Sequence, residues 1–149
     1  EQHVDPAHSV QLGMRGNPIR PRADLNFSKL GYRLIPADEF FDIGIERTIE
    51  IIRERVGDMP LYITFDLDVL DPADAPAVSN LEPLHEGLRA SQIVKIFHGL
   101  RGMNIIGGDI VCMIPTKDNP NNITAMNAMA IMFEMVALIA DRMEQAKKG

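Results

Sequence analysis

Apolar runs constrain this chain more than any other feature. NIIGGDIVCMIP, residues 104–115, is almost wholly apolar, and LYITFD, residues 61–66, reads as a second apolar strand. Such runs belong where a strand is covered on both sides, in a parallel sheet lying between layers of helix. Around them the periodicity is helical. In FDIGIERTIEIIRERVGD, residues 41–58, Ile45, Ile49, Ile52 and Val56 recur at helical spacing, and Gly57 offers a stop. In RASQIVKIFHGLRG, residues 89–102, Ile93, Ile96, Phe97 and Leu100 share one face. HSVQLGMR, residues 8–15, and YRLIP, residues 32–36, read as shorter strands, with RPRADLNFSKLG, residues 20–31, as a loop or short helix between them. Asn122 is placed to cap a last helix that continues towards Lys148. Strands alternating with helices predict an α/β chain, a three-layer α/β/α sandwich with a mainly parallel sheet.

Composition excludes several functions. The 149 residues carry a net charge of −6, the wrong sign for a nucleic-acid or acidic-membrane surface, whereas a small cationic partner suits it. Cys112 is the one cysteine, so no intrachain disulfide forms and a reducing, cytoplasmic setting is expected. The apolar stretch 125–140 is interrupted by Glu134 and falls short of the roughly 20 residues of a membrane span. It reads as a core helix, with Met126, Met129, Met132 and Met135 as filler.

LYITFD runs straight into three aspartates, Asp66, Asp68 and Asp71, and then proline. Strand alternation predicts that Asp66 and Asp68 project to the same side, at the C-terminal end of the strand, where open α/β sheets bind ligands. Two carboxylates so placed repel each other, and a shared proton or a divalent cation relieves this. Oxygen ligands suit magnesium, manganese or calcium. The plainer reading is that one aspartate forms the turn at Asp71-Pro72 and another is merely solvated.

TFDLDVLDPADAP, residues 64–76, resembles the last metal-binding motif of the ureohydrolases, the arginase and agmatinase family, with its pattern Phe-Asp-x-Asp-x-x-Asp-Pro-x-x-x-Pro. The resemblance extends to VDPAHSVQLGMRG (4–16), to VGDMPLYITFDLDVLDP (56–72), which is similar to agmatinases in particular, to GLRGMNIIGGDIVCMIP (99–115) and to NNITAMNAMAIMFEMVALI (121–139). It implies that residues 1–149 are the C-terminal portion of a single ureohydrolase domain of arginase-like fold, with the N-terminal part missing. It also implies a hydrolase with two Mn2+ ions that splits a guanidino compound, agmatine-like, into urea and an amine. Asp66 would bridge the ions, Asp68 would bind one of them, and Asp71 would orient these ligands or form the turn. A homo-oligomer, trimer or hexamer, is implied as well.

The chain departs from the family pattern at three places. The family's other ligands, an upstream histidine and an Asp-Ala-His-x-Asp segment, are not in this sequence. AVSNLEPLHEGL, residues 77–88, stands where the family has a Gly-Thr-Gly-Thr-Pro run and Gly-Gly-Leu. In DIVCMIP, residues 109–115, Cys112 replaces the glutamate that pairs with the guanidinium. The candidate pocket residues are therefore Cys112, His85, Glu82 and Glu86, the glutamates being able to supply the lost charge. Cys112 also has a plain reading as an inert small hydrophobe in a buried strand, and His3, His8 and His98 read as surface or packing residues. Two other functions fit parts of the pattern. One is a noncatalytic ureohydrolase-like subunit. The other is a haloacid-dehalogenase-type phosphatase, which FDLDVLD resembles, although that family carries the motif on its first strand followed by Gly-Thr rather than Val69-Leu70.

Overall fold

The structure, a computed structural model, describes residues 4–16, 30–82 and 86–147. Strand β1 (Val10–Leu12) pairs in parallel with β2 (Arg33–Ile35), and β3 (Leu61–Asp66) pairs in parallel with β4 (Ile105–Val111). Among the described residues three long helices accompany them: α1 (Ala37–Val56), α2 (Ala90–Gly99) and α3 (Ile123–Ala146). The arrangement is the expected α/β one, with parallel pairing throughout both ladders. Residues 17–29, most of the expected loop between β1 and β2, lie outside the described residues.

Helix α1 begins four residues before the segment 41–58 read as helical, because Asp38 and Glu39 suit the positive end of a helix although they carry no hydrophobic period. A kink at Gly44, at φ 78°, divides it, and Thr48 Oγ1 donates to the Gly44 carbonyl at 2.8 Å. Helix α2 packs against both α1 and α3, and α3 packs against β4. The close approach of α3 depends on Gly108, where a Cβ would lie 2.9 Å from Met135 Sδ and 2.7 Å from the Ile63 carbonyl oxygen. The Phe65 and Phe97 rings meet edge to face at 6.2 Å, joining β3 to α2.

The apolar run predicts that β3 is covered on both sides, and the structure departs from this: one side is open. Leu61, Ile63 and Phe65 turn towards the core, while Tyr62, Thr64 and Asp66 are exposed, Tyr62 at 55%. The open face is polar and internally bonded: Tyr62 Oη and Thr64 Oγ1 donate to the two oxygens of Asp109 on β4, at 3.0 and 2.7 Å.

Helix α3 departs from expectation twice. Asn122 occupies the N-cap position in a left-handed conformation and makes no side-chain cap. The capping groups come from further back, where the chain turns. Asp118 accepts from the Thr124 and Ala125 amides at 3.2 and 3.0 Å, and Asn119 Oδ1 accepts from the Ile123 amide at 3.1 Å. Of the methionines read as filler only Met135 is buried; Met126, Met129 and Met132 are exposed, together with Phe133 at 72% and Val136. By length and composition α3 could cross a membrane, but its inner face, Ile131, Met135 and Leu138, belongs to the core. His98 and Glu134, 3.1 Å apart, tie α2 to α3 at the surface, and His8 contacts Asp5 at 2.7 Å. His3 lies outside the described residues.

Candidate metal centre

Parallel pairing brings the C-terminal ends of β3 and β4 together, with Asp66 opposite Val111. Strand β3 stops at Asp66, and Leu67–Val69 forms a single 3-10 turn anchored by the fully buried Leu67. Asp66 caps that turn, its Oδ1 accepting the Asp68 amide at 2.9 Å. Asp68 is thus not a strand residue, and the two carboxylates converge through the turn rather than through strand pleating. Ser79 Oγ donates to Asp68 Oδ2 at 2.9 Å, from the loop that departs from the family pattern.

Cys112 lies just past β4 with φ 69°, half-buried rather than inside a buried strand. Its Sγ donates to Asp66 Oδ2 at 3.2 Å. Desolvation, followed by the hydrogen bond to Asp66, pushes the thiol up from its ordinary pKa, with Ser79 acting in the opposite direction. Ligand atoms of Asp66, Asp68 and Cys112 all lie within 4.8 Å of one another, and no other such trio occurs among the described residues. The donors fit one divalent cation with coordination positions left open, while a second ion would need ligands from elsewhere.

Asp71 shapes the loop. Its Oδ1 accepts the Ala73 amide at 2.9 Å, its own amide donates to the Leu88 carbonyl at 2.9 Å, and the Gly87 amide lies 3.4 Å from its Oδ2. Residue 87 has to be glycine for this crossing, since a Cβ would stand 2.4 Å from the Asp71 nitrogen. Asp74 pairs with Arg89 at 2.6 Å and accepts the Ala90 amide at 2.8 Å, fixing the start of α2 to the same loop.

Sequence reasoning did not single out Ser79 or Arg15. From the end of β1, Arg15 donates to the Asp68 carbonyl from Nε (3.1 Å) and Nη2 (2.8 Å), to the Leu70 carbonyl (2.9 Å) and to the Glu82 carbonyl (3.0 Å). One planar fork therefore holds the aspartate turn and the altered loop together. Desolvation pulls this guanidinium below its ordinary value, against the opposing charges of Asp71, Glu82 and Asp68. An arginine just past a strand's C-terminal end was the available signal, but its three carbonyl partners lie too far along the chain for local spacing to reveal them.

Glu82 is half-buried with φ 42°, its carboxylate against Gly16, where a Cβ would come within 2.8 Å of it. Glu86 is exposed. His85 lies outside the described residues.

Residues 1–137 match the Arginase family. The chain is 37% identical over 138 residues to a guanidinopropionase of Pseudomonas aeruginosa, covering 93% of this chain and 42% of that protein. It is 37% identical over 139 residues to an agmatinase of Photorhabdus laumondii, again with 93% and 42% covered. Among solved structures, proclavaminate amidino hydrolase from Streptomyces clavuligerus superposes with a TM-score of 0.84 at 32% identity, covering 93% of this chain and 44% of that one. A hypothetical agmatinase from Burkholderia thailandensis gives 0.82 at 35% identity, covering 96% and 42%. The chain spans less than half the length of these relatives. Similarity over nearly the whole chain leaves the phosphatase reading without support, and with the aspartate turn at the end of a parallel pair it places this chain in the arginase family, with an arginase-like fold.

Proposed function

We propose that the full-length protein is a metal-dependent ureohydrolase that cleaves a guanidino compound of the agmatine type into urea and an amine. The observation that carries this is the convergence of Asp66 and Asp68 on one point at the end of β3, in a chain of the arginase family. The relatives' names support the substrate class: guanidinopropionase, agmatinase and an amidino hydrolase. The net charge of −6 agrees with a cationic substrate.

In this reading Asp66 and Asp68 would help to hold two divalent ions, manganese by family resemblance, with further ligands from elsewhere in the full-length protein. Such ions supply Lewis-acid polarisation and a lowered water pKa. Asp66 presents Oδ2 to the centre while its Oδ1 holds the turn, and Ser79 fixes the orientation of Asp68. Arg15 keeps the turn and the altered loop in register, and Asp71 shapes the loop that follows.

A guanidinium buried without a charged acceptor is costly, and Cys112 does not supply that charge. Glu82 is already placed beside Gly16 and within the field of Arg15, which leaves the exposed Glu86 as the acid of this loop able to meet the substrate. A cytoplasmic homo-oligomer, trimer or hexamer, and an inactive isolated chain belong to the same reading. Cys112 in place of the glutamate favours one other reading, a noncatalytic subunit that keeps the fold and binds metal but releases no urea.

The experiment replaces Asp66 by Asn in the full-length protein. Metal content and urea release are expected to collapse together while the fold persists, because no neighbouring group replaces the lost charge. Full activity at normal metal content would end the metal-hydrolase reading.

A further inference from the structure

Cys112 has no obvious place in a centre built from oxygen and imidazole ligands, yet its side chain meets the Asp66 carboxylate across the seam between β3 and β4. Its backbone has left the strand, and its sulfur is directed at Asp66 rather than into the core. It is not placed as a nucleophile either, since a reactive thiolate needs an electropositive setting and this one faces two carboxylates. A sulfur and two carboxylates gathered on one point share one chemistry, the binding of a cation. Ligand atoms on a tetrahedral ion with metal–sulfur bonds of about 2.3 Å and metal–oxygen bonds of about 2.0–2.2 Å stand about 3.5 Å apart. The Sγ–Oδ2 separation of 3.2 Å is close to that already, and the 4.8 Å bound on the whole trio closes with modest side-chain rotation.

We propose that Cys112 is itself a metal ligand, and that with Asp66 and Asp68 it forms a two-carboxylate, one-thiolate set that shifts the centre's preference from manganese towards a thiophilic ion, zinc or cobalt. The proposal rests on the metal-dependent reading given above. Carboxylate and water ligands suit manganese, whereas thiolate selects softer ions. On binding, the Sγ–H proton passes to solvent as the sulfur–metal bond forms. Zinc outranks manganese at most sites whatever the ligands, so the meaningful quantity is the change in that preference when the sulfur is removed.

The test uses the full-length protein stripped of metal and reloaded with Co2+, Zn2+ or Mn2+ alone, comparing wild type with Cys112→Ser and Asp66→Asn. Wild type with Co2+ is expected to show a near-ultraviolet sulfur-to-cobalt charge-transfer band that Cys112→Ser lacks. The ratio of Zn2+ to Mn2+ affinity should fall on the order of tenfold or more in Cys112→Ser, with Mn2+ affinity little changed. Cobalt bound by wild type without the band overturns the proposal and leaves the ureohydrolase reading standing, as does an unchanged affinity ratio. If wild type binds none of the three ions, or Asp66→Asn binds them all normally, the metal centre itself is wrong. Should Cys112→Ser fail to fold, the wild-type cobalt spectrum alone decides.

Discussion

At the scale of single residues, the centre depends on close approaches as much as on its donors. Gly87 runs so near the Asp71 backbone that a methyl group must displace it. Gly87→Ala is expected to cost about 1–3 kcal/mol, the usual range for forcing extra atoms into a packed site, read as a lower urea midpoint with an unchanged slope. An unshifted midpoint would show that the loop yields easily. Asp66, Asp68 and Asp71 were legible because their chemistry is written in adjacent positions. Arg15 and Ser79 were not, because each acts on Asp68 from another part of the chain, and only the folded chain shows which carbonyls a guanidinium meets. The placing of Cys112 inside a buried strand failed for a related reason: periodicity extends a strand through any apolar residue, and nothing local announces that β4 ends at Val111.

At the scale of elements, the strands and helices were found where apolar periodicity is strong, and their ends were found less well. The start of α3 shows why. Its amides are satisfied by Asp118 and Asn119, residues that precede them by four to seven positions, so the nominal cap at Asn122 misleads. The Asp118 carboxyl is held below its ordinary value of 3.8: desolvation is the largest single influence and opposes this, but the hydrogen bonds from Ala125, Thr124 and Asn119 together outweigh it. A carboxyl depressed in the folded state adds stability above its unfolded pKa and loses it as pH falls through the folded value. The contribution of Asp118 should therefore be complete above about pH 4 and be lost progressively as pH falls from there through the lowered folded value. Acid titration followed by helical circular dichroism should show this loss in the wild type, and Asp118→Asn should remove that component. Coincident titration curves would refute the capping role.

At the scale of the whole molecule, two surfaces are those of a part rather than of a finished layer: the open side of β3–β4 and the outer face of α3 with Met129 and Phe133. Exposed apolar stripes and unpaired strand edges drive association. The isolated chain is expected to self-associate, and Met129→Lys with Phe133→Lys should shift it towards monomer in sedimentation velocity without loss of helix. Unchanged association in that double variant would transfer the cause to the bare sheet. Asp66 belongs to this open side, one oxygen committed to its own turn and the other accepting the Cys112 thiol. An ion held there in the full-length protein would work as a clasp between this portion and whatever lies against the sheet. Chelation would then loosen that contact, and the protein's melting would become a gauge of its metal supply.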